Sequence, residues 1–218
     1  MTWLPDVVKS ILSEGIESSK IVFVDSGSKD GSLEFARHQG MKVIEYGNEL
    51  FNYSRSLNLG IQNTDCDYIL IISAHCEIYK YGSISKMLEN FRDENVVGVY
   101  GRQIPTSKSK PEDVRDLLTV FGREKIEYSK EPFFHNAFSI IRKEFWNEYK
   151  FDENVNGIED RIWAKEACTN GKKIVYDPSG VVYHEHGLNH SLSKERAIRV
   201  CKALQIYHSD DYVVFPDL

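Results

Sequence analysis

The chain has 218 residues, enough for one domain of ordinary size or one domain with an elaborated tail. Apolar residues at 41% and charged residues at 28% are the ordinary globular mix, which excludes a largely disordered chain and allows a sizeable core. The 33 acidic and 27 basic residues give a net charge of −6, which argues against a protein that lives on nucleic-acid phosphates.

Leu4, Val7, Val8, Ile11 and Leu12 recur at helical spacing, with Pro5 suited to a first turn and Gly15 to a stop, and predict a helix over 3–12. The wholly apolar run Ile21–Val24 predicts a buried strand ending in the polar cluster Asp25-Ser26-Gly27-Ser28. A helix from Ser32 to His38, closed by Gly40, and a strand over Met41–Tyr46 follow. Asn52 is placed to cap a helix reaching Gln62. Tyr68–Ile72 predicts a third strand, ending in Ser73-Ala74-His75-Cys76. A helix over Ser83–Phe91 and a strand over Val96–Tyr100 come next. No apolar run approaches the length of a membrane span, and no basic flank with an apolar stretch opens the chain, so neither a spanning helix nor a signal peptide is expected.

The second half is less regular. Residues 105–111 predict a polar loop and Phe133–Ile141 a strand entering a turn. Ile158–Asn170 predicts a helix that opens with Glu159-Asp160. Lys173–Tyr176 and Val181–His184 predict two short strands around a turn at Asp177–Gly180. Leu192–His208 predicts a surface helix carrying Lys194, Arg196, Arg199 and Lys202. Cys66, Cys76, Cys168 and Cys201 form no C-x-x-C pair and read as reduced thiols of a cytoplasmic protein.

Short apolar strands alternating with amphipathic helices imply an α/β fold with a mostly parallel twisted sheet flanked by helices. The expected division is a domain over 1–190 and a C-terminal helix and tail over 191–218. Ligands of such sheets bind at the carboxyl ends of strands, where both polar clusters sit. Glu159-Asp160 reads either as acidic residues favoured by a helix dipole or as a carboxylate pair for proton transfer. His184 and His186, two apart, point to one face and suit metal ligation or a solvated surface, and His75 is a third imidazole just after a buried strand. His135, Asn136, Phe133, Phe134 and Trp163 read as a binding cleft or as core packing.

The block IVFVDSGSKDGS at 21–32 resembles a signature of family 2 glycosyltransferases of the GT-A fold. The likeness continues through 51–60, 67–73, Asn136-Ala137, 151–153, 157–160 and 184–186, in the family's order. The resemblance implies transfer of a sugar from a nucleotide-sugar donor to an acceptor hydroxyl, with inversion, in polysaccharide or glycoconjugate biosynthesis. It implies that Asp25, with Ser26 where a second Asp is usual, meets the base and ribose. Arg55 and Asn58 would lie on a helix facing the nucleotide, Arg55 against the diphosphate. Ser73 and His75 stand where the family's DxD aspartates hold Mn²⁺ or Mg²⁺, and His184 or His186 matches a C-terminal histidine that completes the metal site. Imidazole at these positions suits Mn²⁺ or Zn²⁺ better than Mg²⁺, or else cationic groups meet the phosphates without metal. Glu159-Asp160 matches an acidic pair whose Asp is the base of inverting members.

The implied acceptor is a saccharide or lipid-linked glycan, with no nucleic-acid partner. The implied location is cytoplasmic, with peripheral association to the inner face of the membrane and self-association as further expectations. The alternative is a catalytically impaired nucleotide-sugar-binding or scaffold relative, suggested by the altered DxD and by the missing opening strand of the family. For that strand three explanations stand: the true start lies upstream, strands 21–24 and 68–72 pair directly, or the tail Tyr212–Pro216 fills the slot. A nucleotidyltransferase would need a Gly-rich phosphate loop with Lys and Arg near the start, which this sequence lacks.

Overall fold

Helix α1 (Leu4–Ser13) carries Pro5 in its first turn, where a missing N–H costs nothing. Its two apolar rows serve different neighbours. Leu4 and Val8 pack with Ala36 and Met41, while Val7 and Ile11 pack with Cys76, Ile78 and Ile84. The computed structural model describes residues 3–47, 51–186 and 194–208. After α1, strand β1 (Val22–Asp25), helix α2 (Ser32–His38) and strand β2 (Lys42–Glu45) form a parallel β–α–β unit, with Val22 opposite Lys42 and Asp25 opposite Glu45. Helix α3 (Tyr53–Gln62) starts at Asn52, whose side chain accepts the Arg55 N–H at 2.9 Å, as its position predicts.

The larger sheet contains β3 (Tyr68–Ile72), β4 (Cys76–Ile78), β5 (Val96–Ile104), β6 (Ile126–Tyr128), β7 (Phe138–Arg142) and β8 (Lys173–His184). Their order is β3-β7-β5-β8-β4, with β6 alongside β8. Helices α4 (Ser83–Leu88), α5 (Pro111–Val120), α6 (Lys143–Glu148), α7 (Glu159–Thr169) and α8 (Lys194–Tyr207) are the other α-helices among the described residues. The two-residue period of the strands divides the interior. Ile141, Ile174 and Tyr176 pack with Phe134, Leu117 and Trp163, whereas Ile140, Val175 and Val182 pack with Val7, Ile84, Met87 and Phe91.

The α/β fold with a helix-flanked central sheet is as expected, but the sheet is mixed rather than mostly parallel. Among the described residues only β1–β2 and β5–β8 pair in parallel, and β3–β7, β5–β7, β4–β8 and β6–β8 are antiparallel. Strand–helix alternation sets direction only when successive strands are sheet neighbours. Here β3 and β4 follow one another in the chain yet lie at opposite ends of the sheet order.

Asp177–Gly180 is not a turn. Strand β8 runs through it as one element, and its register against β5 jumps from Gly101 opposite Asp177 to Arg102 opposite Val181. This is a bulge, held by Ser179 N–H and Oγ donating to Asp177 Oδ1 at 2.9 and 2.6 Å. Opposite it the chain needs glycine. A Cβ on Gly101 would stand 2.7 Å from Phe138 Cε1 and 2.8 Å from the Gly180 carbonyl oxygen. The strand predicted at Phe133 begins only at Phe138, and the one predicted at Val96–Tyr100 continues to Ile104.

Direct pairing of β1 with β3 is not formed. Among the described residues β1 pairs with β2 and β3 pairs with β7, and Val24 packs instead on α3, where a Cβ at Gly60 would stand 3.3 Å from its methyl. The tail Tyr212–Pro216 lies outside the described residues.

Candidate active site

Strands β4 and β8 bring the histidines together. Cys76 and His184 face each other across the antiparallel ladder. His75 lies in the turn before β4, which is closed by Cys76 N–H donating to Ser73 O at 2.9 Å. Ser73 N–H in turn donates to Ala137 O at 3.0 Å, which ties that turn to the segment before β7. The Nε2 atoms of His75 and His184 stand 3.0 Å apart. The ring of His186 lies 5.8 Å from that of His75 and 6.4 Å from that of His184, and the His135 ring lies 6.5 Å from that of His184. Fully buried Gln103 bridges two of them. Its Oε1 is 2.7 Å from His184 Nδ1 and its Nε2 is 3.0 Å from His135 Nδ1.

The acidic pair sits at the start of α7. Asp160 is buried, and each carboxylate oxygen accepts one backbone N–H: Oδ2 from Asn136 at 3.1 Å and Oδ1 from Arg161 at 2.8 Å. Asn136 follows His135, so Asp160 is joined to the imidazoles through one short segment. The Asn136 side-chain oxygen accepts Ser139 Oγ–H at 3.0 Å, while its buried Nδ2 finds no hydrogen-bond partner among the described residues. Glu159 is buried too, with Oε2 accepting the Gly157 N–H at 2.9 Å. Burial first, and then the charge of Asp160, push the Glu159 carboxyl up to about 7, although Gly157 N–H and Arg199 of α8 favour its ionised form.

Asp25, Arg55 and Asn58, also expected at the nucleotide, belong to other hydrogen-bonded groups. Asp25, buried at the end of β1, accepts the N–H groups of Gly27 and Ser28 on Oδ2 at 2.7 and 2.8 Å. Burial disfavours its charge, but bonds from the Ser28 hydroxyl and the Ser28 and Gly27 amides more than offset this and hold the carboxyl below its ordinary value. Ser26 is half-buried in the same turn. Arg55 pairs with Glu153 at 3.1 Å, both half-exposed. Asn58 is committed to the fold. Its Nδ2 donates to Phe151 O and Glu153 Oε1, and its Oδ1 accepts Trp146 Nε1–H and Phe151 N–H at 3.1 and 3.2 Å. The described hydrogen bonds thus group Arg55 and Asn58 around Glu153 and His75, His184 and His135 around Gln103. Gln103 itself escapes sequence reading, because the strand predicted over Val96–Tyr100 stops short of it. Its one signal is an uncharged polar residue three positions beyond a buried apolar run.

His75, Cys76 and His184 offer three ligand atoms within 4.8 Å of one another. The donor chemistry favours the imidazoles. Cys76 is fully buried in apolar surroundings, which push its thiol far up and keep it protonated. Two nitrogens each about 2.1 Å from a shared ion stand about 3.0 Å apart at a right angle, which matches the observed separation of 3.0 Å. The pair therefore fits a first-row ion that accepts nitrogen ligands.

A model of glycosyl transferase family 2 matches residues 2–149. The chain belongs to that family. This family 2 chain is 26% identical over 194 residues to the O-antigen chain rhamnosyltransferase RfbN of Salmonella typhimurium strain LT2, an alignment covering 84% of this chain and 62% of that protein. It is 23% identical over 181 residues to the O-antigen chain rhamnosyltransferase WbaN of Salmonella anatum, covering 78% and 58%. It thus spans about three-fifths of the length of the curated relatives it matches. Its fold matches, with a TM-score of 0.67 at 16% identity, the mannosyltransferase PcManGT of Pyrobaculum calidifontis solved with GDP-Man and Mn²⁺, over 100% of this chain and 62% of that one. The fold is the GT-A arrangement that the sequence motifs imply. Among the described residues no helix is long and apolar enough to cross a membrane.

Proposed function

We propose that this family 2 chain carries the donor site and the base of an inverting glycosyltransferase that moves a sugar from a nucleotide-sugar donor to a hydroxyl of a growing surface glycan. One observation supports the reading above the others. The Asp160 carboxylate, held by Asn136 and Arg161, connects through His135 and Gln103 to the facing imidazoles of His184 and His75. A base and a cation-binding pair are thereby carried on one hydrogen-bonded framework.

In this reading Asp160 takes the proton of the acceptor hydroxyl as its oxygen attacks the anomeric carbon. The bond from that carbon to the diphosphate breaks on the opposite face, and the electron pair leaves with the phosphate oxygen. Positive charge must meet that oxygen. His75 and His184 are the residues that would hold a divalent ion, with His186 beside them, and Mn²⁺ is the ion found with the structural relative. Such an ion, when bound, supplies the charge that stabilises the departing diphosphate. Asp25, Ser26 and Ser73, at the ends of β1 and β3, are assigned to the nucleotide, and Arg55 to its phosphates. Glu159 is a positioning residue for Asp160. The rhamnosyltransferase relatives suggest a rhamnosyl donor and an O-antigen-type chain as acceptor. Exposed Lys194, Arg199 and Lys202 on α8 suit a membrane-peripheral location beside an anionic lipid surface.

The test is turnover and binding across a panel of nucleotide sugars, with and without Mn²⁺. Asp160→Asn is expected to abolish transfer and leave donor affinity intact. Near-normal turnover by that variant refutes the assignment. Donor binding without turnover by the unaltered protein identifies the chain as a nucleotide-sugar-binding relative instead.

A further inference from the structure

We propose that Gln103 is a positioning residue of this site, whose amide sets the tautomers of both His184 and His135. The argument starts from a group whose role has no alternative. The backbone N–H of Ala137 lies 3.3 Å from His135 Nδ1 and can only donate. His135 Nδ1 is therefore an acceptor, and its ring proton sits on Nε2. The Gln103 atom 3.0 Å from that same Nδ1 must then be a donor, which orients the amide with NH₂ toward His135 and oxygen toward His184. The oxygen 2.7 Å from His184 Nδ1 can only accept, so that nitrogen carries the proton. In the neutral ring, Nε2 of His184 is left unprotonated and faces His75 Nε2 at 3.0 Å.

Gln103 is fully buried on β5, in the strand between β7 and β8, so its amide has no water with which to exchange partners. A buried amide left half-satisfied is costly, and reversing it would put two acceptors face to face at His135 and two donors face to face at His184. The imidazole orientation is thus built into the centre of the sheet. An unprotonated Nε2 on His184 is what a bound cation requires, and outer partners of ligating histidines commonly fix this feature. The consequence for a cation rests on the proposed function, whereas the tautomer assignment does not.

Protein labelled with ¹⁵N-histidine and kept metal-free reports each tautomer in multiple-bond ¹H–¹⁵N spectra, with peaks assigned by single histidine substitutions. The expected result is an Nδ1–H ring for His184 and an Nε2–H ring for His135. Gln103→Met is expected to release both, and Gln103→Glu, which keeps the acceptor but removes the donor, to preserve Nδ1–H on His184 and alter His135 alone. An Nε2–H ring on His184 in the unaltered protein, or spectra unchanged in Gln103→Glu, overturns the proposal. Calorimetric titration with Mn²⁺ adds a second readout, where Gln103→Met is expected to bind about 10- to 100-fold more weakly. Equal Mn²⁺ affinity despite altered tautomers overturns the link between the amide and the cation. If the unaltered protein binds no Mn²⁺ while its tautomers are as stated, the ion reading fails and the role of Gln103 in setting the rings stands.

Discussion

Glu159→Gln is expected to make the protein more stable at neutral and alkaline pH and to leave it nearly unchanged at pH 4.5. In the unfolded chain the carboxyl titrates near its ordinary value of 4.5, and in the folded chain burial and Asp160 raise it to about 7. Between these values the unfolded chain releases a proton that the folded chain retains, so stability falls as pH rises through the window and levels off above it. A gap of about 2.5 units at about 1.4 kcal/mol each gives a loss of about 3 kcal/mol. That is a large share of the roughly 5–15 kcal/mol that keeps a domain folded. The glutamine keeps an oxygen for the Gly157 N–H and has no charge to bury. Urea unfolding at pH 4.5, 6, 7 and 8, followed by the fluorescence of buried Trp146 and Trp163, measures the effect. The variant should overtake the parent steadily and lead by about 3 kcal/mol at pH 8. A difference that does not change with pH refutes the claim that a buried proton sits on this pair.

Three further outcomes are expected. Gly101→Ala should lose about 1–3 kcal/mol of stability in denaturant titration, because its methyl meets the Phe138 ring and the Gly180 carbonyl, neither of which can swing aside. Asn58→Ala should lose about 2–5 kcal/mol by the same measurement, since it strands the buried donors Trp146 Nε1–H and Phe151 N–H. Leu117→Ala, at a fully buried position of the larger core, should cost about 2–5 kcal/mol and leave the tautomers of His184 and His135 unaltered in the histidine spectra.

The elements that sequence reading finds are those with a strong period and a clear cap. Strands β1 and β3 and helices α2 and α3 appear within a residue or two of their predicted bounds, because Val22–Val24 and Tyr68–Ile72 are apolar on both faces and Asn52 caps as its side chain dictates. Strands β4 and β6, three residues each, are too short to show a period and exist only because β8 pairs with them. Direction was illegible for a related reason: β7 inserts between β3 and β5 from far along the chain, and no local pattern encodes a sheet neighbour. At the candidate site, sequence reading singles out Asp160, His75 and His184 as candidates, and the fold sets the two imidazoles face to face. Residue chemistry could not separate Asn58, whose amide braces the Phe151 turn, from a ligand-facing asparagine, nor reveal that Gln103 lies between two imidazoles.

The bracket that α3 makes on the segment before α7 also sets an order in time. Asn52, Tyr53, Ser54 and Asn58 bond to residues 151–156, across 93 to 103 positions of chain. Contacts of such span close large loops and tend to form late in folding. The facing imidazoles are further apart still, 109 positions. During synthesis the turn bearing His75 emerges from the ribosome well before Asp160, and Asp160 before His184. Early strands can therefore assemble before the two imidazoles meet, so their facing contact is a mark of the folded chain.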